Sequence, residues 1–115
     1  MRLAAAVAAL ALAACGAEEP VLGGDPEQGR LLLRQFGCGA CHEIPGVATA
    51  QGRVGPPLAA IASRVYLGGV LPNSPENMVR FIRRPQDVDP RTAMPDLGVT
   101  EAHARDMVAY LYTLE

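Results

Sequence analysis

Residues 37–43 read GCGACHE. This stretch places Cys38, Cys41 and His42 within five positions, and so uses two of the chain's three cysteines and one of its two histidines. Several chemistries use close cysteine pairs. A structural zinc site needs four ligands, and no second cysteine pair completes one. A thioredoxin-type redox pair sits in a βαβ setting. The flanking sequence has no strand-rich segment, and that reading leaves His42 unexplained. A disulfide across two intervening residues closes too short a loop to remove much chain entropy.

The reading that uses all three residues is covalent haem attachment. Two thiols at C-x-x-C spacing add to the two vinyl groups of haem, and the imidazole that follows reaches the iron. A haem c then needs a second axial ligand or an open site. Met78, Met94, Met107 and His103 are the candidates. In SPENMVRFIRR, Ser74 is the expected N-cap and Pro75 the first helical residue, and the helix should stop at Arg84 because Pro85 follows. Met78 therefore lies inside a helix, where core packing explains it. In TEAHARDMVAYLYTLE, Thr100 is the expected N-cap, and Ala104, Met107, Val108, Leu111 and Leu114 recur at helical spacing on one apolar face. Met107 reads as core and His103 as a solvated first-turn residue. Met94 differs, because DPRTAMPDLG surrounds it with Pro90, Pro95 and Gly98. A loop methionine fenced by prolines can project sideways onto a cofactor. Upstream, GDPEQGRLLLRQFG predicts a helix with Asp25 as N-cap, Pro26 at the first position and Gln28 closing a capping box. It should run to about Phe36, stop at Gly37 and deliver Cys38, Cys41 and His42 at its end.

Outward from there, the 115 residues allow one ordinary domain. The chain opens MRLAAAVAALALAAC, with Arg2 ahead of an apolar run from Leu3 to Ala14. That run suits a signal peptide and is shorter than the ~20 residues of a membrane span. LAAC resembles a bacterial lipobox, which implies cleavage before Cys15 and lipid on its thiol. The expected organisation is a signal peptide over 1–14, a flexible tether over 15–24 and a compact domain over 25–115. A domain this small often needs a metal, a disulfide or a cofactor, and it has no Trp. All ten basic residues are Arg, none in a run longer than Arg83-Arg84, against twelve acids. That balance argues against a nucleic-acid partner.

Together these segments resemble the class I c-type cytochromes, in particular the cytochrome c domain of caa3-type oxidase subunit II, over residues 25–115. GPPLAAIASR resembles the family's Gly-Pro-x-Leu followed by Arg. RRPQDVDPRTAMP resembles its Pro-x4-Pro-x-Thr-x-Met. LPNSPENMVRFIRRP resembles the oxidase-linked branch, and AYLYTL the end of the last helix. The resemblance implies an all-α fold of three to four helices around one covalent haem c, with His42 and Met94 as axial ligands. It implies that the Pro56 carbonyl accepts from His42, that Arg64 meets a haem propionate and that Thr92 donates to one. Some members carry, at the Phe81 position, a tyrosine whose hydroxyl bonds the methionine sulfur; Phe81 has none to offer. Where the family often has an aromatic residue four positions after Gly29, this chain has Leu33. The membrane helices and copper-binding segment of a whole oxidase subunit II are not in the sequence.

The expected function is single-electron transfer in a respiratory chain by an exported, lipid-anchored protein facing the periplasm or another extracytoplasmic space. Its partners would be redox proteins, such as a terminal oxidase or a quinol-oxidising or dehydrogenase complex. The sequence offers no acid–base pocket, so an electron carrier is expected rather than an enzyme. The alternatives are a fixed haem subunit of a larger oxidoreductase, or a ligand-binding or sensor haem.

Overall fold

The computed structural model describes Gly16 and residues 18–115. Arg2, the apolar run and Cys15 lie outside the described residues. Among the described residues there are four α-helices: α1 (Pro26–Gln35), α2 (Pro75–Arg83), α3 (Pro85–Val88) and α4 (Glu101–Leu111). A two-stranded antiparallel hairpin, β1 (Tyr66–Leu67) and β2 (Leu71–Pro72), precedes α2. No helix among the described residues is long and apolar enough to cross a membrane.

Local signals set the helix ends. The Asp25 carboxylate accepts from the amides of Glu27 (3.0 Å) and Gln28 (3.1 Å), filling part of the need of the free helix start. Ser74 Oγ accepts from Asn77 N at 3.1 Å and Thr100 Oγ1 from His103 N at 3.2 Å. The capping box expected of Gln28 does not close. The Asp25 amide instead donates to Asp106 Oδ1 of α4 at 2.8 Å. A contact 81 residues away in sequence takes the place of one three residues away.

That bond sits beside the main packing event, the crossing of α1 and α4. Gly29 makes it possible. A Cβ there would lie 1.8 Å from the Asp106 carbonyl oxygen, so only a residue without a side chain lets the two backbones meet. Leu32 and Leu33 of α1 and Ala104, Met107, Val108 and Leu111 of α4 are buried in one cluster around this crossing. Leu31, the third member of the Leu-Leu-Leu run, points outward at 46% exposure. Leu33, by contrast, is buried in the core.

The compact region begins earlier than residue 25. Val21–Gly23 forms a 3-10 turn, Val21 and Leu22 pack against the core, and Gly24 is buried against α4. These residues, expected in the tether, join the domain because their apolar side chains find a surface that no local pattern announces. At the other end, Tyr112 Oη donates to Asn73 Oδ1 (2.6 Å). Asn73 Nδ2 donates to the carbonyls of Ile61 and Arg64, both at 2.8 Å. This network ties the end of α4 to the segment that carries the Gly-Pro-x-Leu motif.

Candidate functional site

Two stretches meet at the attachment motif, the turn after α1 and the 50–64 segment, while the loop after α3 that carries Met94 packs against the same core. Phe36 caps α1 and Gly37 adopts a left-handed conformation, after which Cys38–Ala40 forms a 3-10 turn. The His42 amide donates to the Cys38 carbonyl at 3.0 Å, so thiols and imidazole share one tight unit. Both thiols are half-buried and free. Burial pushes the Cys38 thiol above the usual range.

His42 is held on two sides. Its Nδ1 lies 2.7 Å from the Pro56 carbonyl oxygen. A carbonyl can only accept, so Nδ1 carries the proton and Nε2 keeps its lone pair for a metal. The Gly55 backbone lies against the ring; a Cβ on Gly55 would fall 2.4 Å from Cε1. The Gly55 amide donates to the Cys41 carbonyl at 2.7 Å, which fixes this segment on the attachment turn. The imidazole therefore has one tautomer and one orientation before any cofactor is considered.

The four ligand candidates fall in different surroundings. Met78 (4% exposed) and Met107 (0%) are sunk in the core. His103, read as solvated, is half-buried and meets the Phe36 ring edge-on, with centroids 6.1 Å apart. Met94 is half-buried in the loop after α3, against the core but outside its buried centre. Its amide donates to Thr92 Oγ1 at 3.2 Å, and its carbonyl accepts from Gln86 Nε2 at 2.7 Å. The Thr92 hydroxyl, expected at a propionate, is thus also an acceptor within its own loop. Arg64 Nη2 donates to the carbonyls of Pro57 and Ala59, and so wraps the 57–64 turn around its own side chain. Sequence reasoning missed Gln86, and it read Gly55 only as the opening residue of the Gly-Pro-x-Leu motif. Gln86 carries no local signature, because it acts on a residue that only the fold brings near.

The donor chemistry fits a haem. Among the described residues, no group of three or more His, Cys, Asp or Glu side chains could hold a bare metal ion. One imidazole with a fixed free Nε2 suits a metal that brings its own ring of four nitrogens, and two half-buried free thiols beside it suit covalent attachment.

No protein-family model matches the chain. Over 89 residues it is 32% identical to a cytochrome c oxidase subunit 2 of Alkalihalophilus pseudofirmus, covering 76% of this chain and 25% of that protein. The chain thus spans about a quarter of the length of this relative. Its fold matches that of cytochrome c2 from Rhodobacter sphaeroides with a TM-score of 0.53 and 22% identity, over 79% of this chain and 96% of that one.

Proposed function

We propose that this chain, a class I c-type cytochrome by fold and motif, carries single electrons at a membrane surface in a respiratory chain. The fold implies one covalently bound haem c, whose iron supplies a one-electron couple. The observation that carries the reading is the fixed imidazole: with Nδ1 on the Pro56 carbonyl, His42 presents Nε2 as a permanent ligand. Cys38 and Cys41 would hold the group by thioethers, His42 and Met94 would ligate its iron, and Arg64 and Thr92 would meet its propionates. With both ligands supplied by the chain, the group would pass electrons as a carrier.

The similarity to an oxidase subunit 2 supports a terminal oxidase as the electron acceptor. The LAAC string supports export and a lipid on Cys15, with residues 16–20 as the tether. One acyl chain holds a protein only marginally, so at least two are needed for stable anchoring. The test is twofold. Reduced protein mixed with oxidase-containing membranes should be reoxidised within the mixing experiment. Cys15→Ser should leave the membrane or fail to mature. Fast, tight carbon monoxide binding by the unmutated ferrous protein would overturn the carrier reading. A Cys15→Ser protein that stays on salt-washed membranes would overturn the lipid tether. The same relative supports a second reading, a fixed oxidase subunit. Co-purification with the oxidase in mild detergent, rather than turnover by free diffusion, would select it.

A further inference from the structure

The loop that carries Met94 is thinly supported. Pro95, Asp96, Leu97 and Gly98 are all exposed, and packing resumes only at Val99. An open cleft of ≈ 580 Å³ lies along the segment, with Asp96, Gly98 and Val99 on one side and Arg83, Arg84 and Gln86 on the other. At the segment's far end Arg83 Nε of α2 donates to the Val99 carbonyl at 3.3 Å, and the exposed 95–98 stretch lies between that bond and Met94. Two hydrogen bonds hold the Met94 peptide groups. Thr92 takes the amide from two residues away, within the same loop. Gln86, in the first turn of α3, takes the carbonyl at 2.7 Å, and so ties the loop to a helix. That helix is itself anchored by the buried ring of Pro85.

We infer that Gln86 is a positioning residue for the Met94 thioether: its Nε2–H bond to the Met94 carbonyl sets how firmly the sulfur stays on the iron. This inference rests on the reading of Met94 as an axial ligand. Without the Gln86 donor the loop can swing into the cleft, and an added ligand meets less competition from sulfur. The effect belongs to the N–H donor and not to side-chain bulk. Gln86→Glu keeps the shape and loses the donor at neutral pH. Gln86→Lys keeps a donor of similar reach. Gln86→Leu removes the polar group altogether.

Imidazole titration of the ferric holoprotein reads the competition, alongside the long-wavelength charge-transfer band of methionine-ligated ferric haem. Gln86→Glu and Gln86→Leu should bind imidazole about three- to tenfold more tightly than wild type, the range of one net hydrogen bond. Gln86→Lys should stay within about twofold of wild type by the same scale. All three should keep the charge-transfer band without imidazole and melt close to the wild type. Equal imidazole affinity across wild type, Glu, Leu and Lys variants would overturn the inference. So would a Lys variant as open as the Leu variant, since the donor would then be irrelevant. The Met94 reading is tested separately in the same series. If the band survives Met94→Ala, that reading fails. If the band is lost in Met94→Ala while the Gln86 variants match wild type, only the role of Gln86 fails.

Discussion

On the proposed reading of His42 and Met94 as the two iron ligands, the two sides of the site are built by different means. On the histidine side, backbone meets backbone: Gly55 lies on the imidazole, Pro56 fixes its tautomer, and the Gly55 amide bonds the attachment turn itself. On the methionine side, in an exposed loop, the Met94 carbonyl accepts from Gln86 Nε2 and the Met94 amide donates to Thr92 Oγ1. Close-packed regions tolerate little displacement, whereas hydrogen-bonded loops beside a cleft open locally at small cost. The histidine side should therefore decide whether the holoprotein forms at all. The methionine side should decide what the iron does once it has formed.

The largest effect should follow from His42→Ala. It deletes the ring that Gly55 and Pro56 enclose and leaves the Pro56 carbonyl without its partner. The expected result is loss of most holoprotein, measured as covalent haem by haem-stained denaturing gel and absorbance. A His42→Ala protein that accumulates with wild-type haem content and a wild-type melting temperature would show that the histidine side is not the structural one. Met94→Ala should come next and differ in kind. The thioether touches the core from a loop, so folding and covalent haem should persist. The charge-transfer band should vanish, the reduction potential should fall and the ferrous protein should bind carbon monoxide. Met78→Leu and Met107→Leu, both core substitutions of similar volume, should cost less than ~1.5 kcal/mol and leave the spectrum intact. Loss of the band in Met107→Leu instead would move the ligand from the loop to the core and erase the contrast between the two sides.

How much of this could be read from the sequence follows the same division. The starts of α1, α2 and α4 were legible, because Asp25, Ser74 and Thr100 act on amides two or three residues away. The attachment motif was legible because its three residues are contiguous. The short α3 and the 66–72 hairpin were not expected; each is only a few residues long and too brief for periodicity to register. The partner of the Asp25 amide was misread, since Asp106 becomes a neighbour only when α1 crosses α4 at Gly29. The same holds for Gln86, whose role depends on a loop eight residues on folding back over it. Methionines at positions 78 and 107 were placed correctly in the core by helical spacing alone.

The smallest expected effect gives the sharpest contrast. Tyr110, on α4, donates its hydroxyl to the Pro45 carbonyl at 2.5 Å, and Arg30 Nη1 of α1 reaches the neighbouring Gly46 carbonyl at 3.3 Å. These bonds tie the loop just beyond His42 to the α1–α4 crossing. Tyr110→Phe removes one of them and keeps the ring. The loss should be about 0.5–1.5 kcal/mol, the net worth of one hydrogen bond. In a domain of this size ~1 kcal/mol lowers the melting temperature by roughly 4–8 °C. Tyr110 and Gln86 thus each give one side-chain bond to a backbone carbonyl, one on either side of the site. If the sides differ as their construction implies, Tyr110→Phe should lower the melting temperature and leave imidazole affinity unchanged. Gln86→Glu should do the reverse. The two variants measured side by side, by thermal melting and by ferric imidazole titration, decide it: a Tyr110→Phe protein that binds imidazole as tightly as Gln86→Glu would mean that the iron site loosens as a whole.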